Sequence, residues 1–202
     1  MSPTTRPTVV IVPGMRDHVG DHWQTLLARR LTETGRTVCT VPPLTGNRLS
    51  RDAHVAKLVE VIARTTGPLL LVAHSAGCLT TVQWARRHNA DVRGALLATP
   101  PDFDTPLPDG YPTPGELEKS GWAPVSRGPL PFPSIVAASS TDPLGSLERV
   151  AALARDWGSR LVELGDVGHL NPASGHGPWP GAEEFVEALE HGWCRSAPKP
   201  AS

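Results

Sequence analysis

The feature that most constrains this 202-residue chain is a set of short, continuously apolar runs separated by amphipathic stretches. Val9–Val12, Leu69–Val72, Gly94–Thr99 and Ser134–Ser139 show no alternation of apolar and polar residues, so both faces of each must be covered. Two weaker strands are predicted at Thr37–Val41, stopped by Pro42 and Pro43, and at Arg160–Leu164. Between them lie segments with helical spacing. The first runs over 21–31, with Asp21 as its cap and Trp23, Leu26, Leu27 and Leu31 on one face; the second covers 52–64, with Val55, Leu58, Val59 and Ile62. Others are predicted over 79–87, 147–157 and 182–193. Strand and helix in regular succession predict an α/β fold of three αβα layers, with a mostly parallel sheet of about six strands.

At 202 residues the chain is the size of one domain, predicted over 1–195, with a disordered tail over 196–202. One interval breaks the rhythm. Residues 100–133 hold a large share of the 22 prolines, with Phe103, Tyr111 and Trp122 among them, which excludes long helices and central strands. Such a segment is expected to loop over the strand ends as a short lid or pocket wall, or as a surface loop without a role in binding. A net charge of −1 with mixed signs provides no basic stripe for nucleic acid and no polybasic membrane patch, which favours a small-molecule substrate. Cys39, Cys78 and Cys194 follow no paired spacing. With a first segment lacking the apolar core of a signal peptide, they predict reduced thiols in a cytoplasmic protein.

The third apolar run ends in Ala73-His74-Ser75-Ala76-Gly77, and a helix-forming segment follows at once. A serine hydroxyl can attack a carbonyl only if it projects clear of the sheet, and small residues on both sides allow the sharp turn this needs. The plain alternative is that Ser75 caps a helix, a role serine fills well. A hydroxyl at neutral pH also needs a base, and the base needs an orienting group. Ser140-Thr141-Asp142-Pro143 follows the fifth predicted strand, and Gly168-His169-Leu170-Asn171 follows the sixth, in the Ser, Asp, His order of α/β-hydrolases. Asp142 could instead open a turn before Pro143, and His169 could be an ordinary loop histidine. Three such residues at three strand ends favour the nucleophile, orienter and base assignment. An oxyanion would be held by the Ala76 amide and, beyond Pro13-Gly14, by that of Met15.

Around these, Gly14, Arg16, His18, His74, Trp122, Leu144 and Leu170 are candidate pocket residues; His74 takes the variable elbow position. His176 is a further pocket candidate. His22 is placed on the first helix, and His54, His88 and His191 read as helix-surface residues. A metal site from His169, His176 and a carboxylate follows no ligand signature, and none is predicted.

Taken together, Val12-Pro-Gly14, Asp21-His-Trp-Gln24, the Ala73–Gly77 elbow, Pro129–Pro133, Ala138–Pro143, Trp157–Ser159 and Gly168–Asn171 with Ser174, Gly175 and Trp179–Gly181 resemble one family. It is that of the small serine hydrolases that include retinoblastoma-binding protein 9 and bacterial YdeN. The resemblance implies a compact α/β-hydrolase with Ser75, Asp142 and His169 as a triad and no cofactor. This chain departs from the family pattern near the substrate. Met15 stands where Trp is common, His18 where a small hydroxyl residue is, and Leu144 where Tyr is, and the 101–122 loop is longer. His18 could set specificity, act as an extra acid, or be a solvent-exposed loop residue. The Leu-x-Cys-x-Glu partner motif of the mammalian namesake is absent, so that interaction is not implied.

The expected function is a cofactor-independent serine hydrolase cleaving a small ester or amide. Two rivals remain: a biosynthetic acyltransferase, cyclase or lyase using the same site, and a binding or scaffold protein with a vestigial one. Substrate identity and oligomeric state do not follow from the sequence.

Overall fold

A computed structural model describes residues 6–16 and 19–192. His18, Cys194 and the 196–202 tail lie outside these residues. Six strands, β1 (Thr8–Val12), β2 (Val38–Thr40), β3 (Leu69–His74), β4 (Val92–Ala98), β5 (Ser134–Ala138) and β6 (Arg160–Glu163), form one sheet in the order β2-β1-β3-β4-β5-β6. Every neighbouring pair is parallel, with Ile11 opposite Val72, Val72 opposite Leu96 and Leu96 opposite Ile135 across the centre. Each chain crossover therefore returns to the same edge, and all six C-terminal ends face one way.

The alternation of side chains along a strand divides the core in two. Val10, Val12, Leu71, Ala73, Leu97 and Val136 point to one face, which is covered by α2 (Arg51–Ala63), α3 (Ala76–Ala85) and α5 (Leu147–Asp156) through Leu58, Leu79, Val82, Val150 and Leu153. Val9, Ile11, Leu70, Val72, Leu96 and Ile135 point to the other, under α1 (Trp23–Glu33) and α6 (Gly181–Glu190) through Trp23, Leu27, Leu31, Val186 and Leu189. Continuous apolar runs were needed because neither face meets water.

Helix starts follow local hydrogen-bonding chemistry. Ser50 caps α2 by accepting from the Ala53 amide, and Ser146 caps α5 by accepting from Arg149. The cap of α1 is His22, whose Nδ1 accepts from the Gln24 amide, rather than Asp21, and the helix starts two residues after the predicted start. In α3 the N-cap position belongs to Ser75, but its side chain caps nothing.

The proline-rich interval is half wall and half core. It contains a short helix that its prolines did not announce, α4 (Pro114–Lys119), begun by a Thr113–Glu116 capping box with Pro114 in the first turn. Leu117, Trp122, Val125 and Phe132 pack into the α2–α3–α5 layer. At its root, buried Asp102 accepts from Arg149 Nε at 2.7 Å, and the Asp102 amide donates to the Leu144 carbonyl at 2.8 Å. Arg127 bridges Asp104 and Asp156 at 2.7 and 2.8 Å, tying the segment to α5. No helix among the described residues is long and apolar enough to cross a membrane.

Candidate active site

The elbow is built by close backbone approach. A Cβ on Gly77 would lie 2.2 Å from the Val12 carbonyl oxygen and 2.6 Å from that of Pro13, so α3 can pack against the end of β1 only with glycine there. Gly14 passes close to the nucleophile candidate, where an added Cβ would be 3.1 Å from Ser75 Cβ. Ser75 itself is held at φ 55°, ψ −131°, a strained conformation for a residue with a side chain. Its amide donates to the Ala98 carbonyl at 3.0 Å, pinning the turn to β4. Buried Gln24 fastens the turn from the opposite face, its Nε2 donating to the carbonyls of Val12 at 3.2 Å and Val72 at 3.0 Å.

So positioned, Ser75 Oγ lies 2.8 Å from His169 Nε2. His169 Nδ1 lies 3.0 and 2.9 Å from the two Asp142 carboxylate oxygens. A carboxylate only accepts, so the imidazole proton sits on Nδ1, and Nε2 presents a lone pair to the serine hydroxyl. Asp142 also accepts from the Leu144 amide at 2.9 Å, and its side chain is almost fully shielded from solvent. The three residues come from the ends of β3, β5 and β6, brought to one place by the parallel sheet.

The loop bearing His169 is locked by its own polar residues. The His169 amide donates to Ser174 Oγ at 3.0 Å, and Ser174 Oγ donates to Asn171 Oδ1 at 2.8 Å. Gly168 takes φ +53°, and a Cβ there would meet Ser174 at 2.7 Å. From below, His74 Nε2 donates to the His169 carbonyl at 2.9 Å. Burial lowers the His74 pKa well below its ordinary value, with further lowering from His169 and His22, so His74 stays neutral and keeps this donor. Burial likewise raises the Cys78 thiol, which donates to the Ala98 carbonyl at 3.3 Å; Cys78 and Cys39 are both free.

Above the pair opens a cavity of about 540 Å³, within the usual range for small-molecule sites. Ser75, Ala76, His74 and His169 form its floor. Gly14, Met15, Arg16, Val19 and His22 come from the stretch after β1, Arg48 and Leu49 from the loop before α2, and Phe103, Leu107, Gly110, Tyr111 and Pro112 from the proline-rich interval; Leu144 and the 171–173 turn complete it.

Two sequence-predicted pocket residues are elsewhere. Trp122 is buried in the α2–α3–α5 layer, where its indole N–H donates to the Leu49 carbonyl at 2.6 Å; its large apolar body is worth more in the core than at a wall. Leu170 turns away from the cavity at φ 48° and packs into the α1–α6 layer. His176 is not at the cavity wall either. His54 is no free surface residue: its ring lies against Trp122, and burial lowers its pKa. Sequence reasoning missed His22, Arg48, Leu49 and Asn171 as lining residues, whereas Tyr111 falls in the interval expected to form a pocket wall. The Asp21–Gln24 segment carried a signal for His22, since a polar pair beside a buried Trp is unusual on a helix face. The others sit on loops without periodicity.

The family described as serine hydrolase matches residues 9–188. The chain belongs to that family. No curated protein matches the sequence. Among solved structures, the hydrolase is similar to a YdeN-like hydrolase from Pectobacterium atrosepticum, with 28% identity over 92% of each chain and a TM-score of 0.73. The ydeN gene product of B. subtilis is 20% identical, over 91% of this chain and 98% of its own, with a TM-score of 0.73. Est1E from Butyrivibrio proteoclasticus, solved with ferulic acid bound, shares the fold at 14% identity over 94% of this hydrolase and 89% of its own chain, with a TM-score of 0.67.

Proposed function

We propose that this serine hydrolase cleaves a small ester or amide through an acyl-enzyme on Ser75, with His169 as the base and Asp142 as its orienter. Ser75 Oγ forms a bond to the substrate carbonyl carbon as its proton passes to His169 Nε2. His169 then gives that proton to the departing alcohol or amine as the bond to carbon breaks. Water repeats the sequence in reverse roles: its proton goes to His169, its oxygen to the acyl carbon, and the proton returns to Ser75 as the acid leaves. Asp142 stays ionised and stabilises the imidazolium. The amides of Ala76, at the start of α3, and Met15 are assigned to the developing oxyanion.

The observation that carries this reading is what the Ser75 hydroxyl does. It stands at a helix N-cap, where serine ordinarily bonds the first-turn amides, yet it makes no cap bond and faces His169 Nε2 at 2.8 Å instead. A fluorophosphonate should label the intact protein at Ser75, read by mass spectrometry, and should leave Ser75→Ala unlabelled. A wild type that resists labelling would point to a vestigial binding site and would falsify the activated serine. Deacylation by water, rather than by a second alcohol or amine, is checked by trapping the acyl-enzyme and following its decay with and without added acceptor.

A further inference from the structure

Above the floor of Ser75, His74 and His169, the cavity is mostly apolar. Met15, Leu49, Phe103, Leu107 and Leu144 face it, and no aspartate or glutamate does among the described residues. Two arginines do, Arg16 and Arg48, from different loops; Arg48 is already engaged in an interaction of its own. Arg16 is held across the entrance: its guanidinium carbon lies 4.6 Å from the centre of the Tyr111 ring, and it has no carboxylate partner among the described residues. A cation stacked on an aromatic face is oriented but keeps its in-plane N–H donors, and those donors match an oxyanion. The amino end of α3 adds positive potential at the floor.

We infer that Arg16 is a specificity residue, and that the substrate is an amphiphilic ester or amide whose far end carries an oxyanion, most simply a carboxylate. The apolar middle of such a molecule would lie along Leu107, Leu144 and Phe103 while its charged end reaches the guanidinium. An apolar cavity alone gains little from a charged ligand. A cavity that presents the Arg16 guanidinium beside apolar walls discriminates by charge. The inference rests on Ser75 being the nucleophile, as proposed above.

The test uses three fluorophosphonates identical but for the end of a six-carbon tail, which is a carboxylate, a phosphate or a neutral carboxamide. Their second-order labelling rates at Ser75 are measured on the full chain. An anionic tail should label faster than the carboxamide by about tenfold at low ionic strength, the scale of one charge-assisted hydrogen bond in a partly solvated site. The preference should shrink as salt rises. Arg16→Ala should bring the ratio of anionic to neutral rates near one, and Arg16→Lys should keep part of it. Whether the carboxylate or the phosphate leads identifies the oxyanion. Equal rates for all three tails in the wild type, or a ratio that Arg16→Ala leaves unchanged, overturns the inference while leaving the activated serine intact. A wild type that none of the probes labels brings down the proposed mechanism, and this inference with it.

Discussion

The floor and the wall of the cavity are built on opposite principles. On the floor, each polar group that bears on the chemistry has a partner: Ser75 faces His169, His169 faces Asp142, Asp142 accepts from Leu144, and the His169 main chain is held by Ser174 and His74. The residues stand at strand ends, so their spacing is set by a sheet in which β1, β3 and β5 are buried throughout. The wall from residues 103–112 belongs to no strand and presents mostly apolar side chains, fastened by ion pairs at its root. A hydrogen-bonded floor tolerates little change in geometry, whereas a dispersive wall can be rebuilt with small loss. Under the proposed function, that contrast assigns chemistry to the floor and selectivity to the wall.

The comparison is most exposed at Asp142. Asp142→Asn keeps the side-chain shape but replaces the carboxylate with an amide whose NH2 can face His169 Nδ1, which favours the tautomer with its proton on Nε2. Turnover of an ester substrate should fall by about 10⁴-fold with little change in KM. A loss confined to KM would mean that the floor binds rather than reacts.

The next effect is on stability. His74 is folded as the neutral base, its pKa depressed by burial, while in the unfolded chain it titrates normally at about 6.5. Below that pH the unfolded state binds the extra proton. Stability is therefore present above it and lost as pH falls, by up to about 1.4 kcal/mol per pH unit. His74→Gln should flatten the fall of the thermal midpoint between pH 7 and 5. His54, also depressed by burial, contributes in the same direction and is left unaltered. An unchanged slope would show that His74 is not held neutral.

The smallest effect belongs to the wall. Leu107→Ala removes half-buried apolar surface facing the cavity and touches no polar group of the floor. KM should rise a few-fold, about 1 kcal/mol of lost contact, with kcat and the labelling of Ser75 nearly unchanged. A large drop in kcat would instead tie the wall to the floor.

Most of the sheet was legible in the sequence because its strands are buried on both faces and so are apolar without interruption. The errors lie where that signal is weak. The α1 cap falls on His22 because its ring nitrogen can accept a first-turn amide as a carboxylate would; α4, with six residues, is within the exclusion of long helices, and Pro114 fits because it sits in the first turn. Ser75, Asp142 and His169 could be read together because each follows a strand in a fixed order. Trp122 could not be placed, since a large aromatic in a loop reads equally well as pocket or core.

The sequence by itself determined the layered α/β fold, the glycine-lined elbow and the order of the three polar residues, because all of these depend on local pattern and on which strand a residue follows. Only the tertiary structure decided that Arg16 stacks on Tyr111 at the cavity mouth, that Gln24 ties β1 to β3, and that His74 supports His169. Those contacts join residues 12 to 95 positions apart, across loops with no repeating pattern, and only packing brings them within reach.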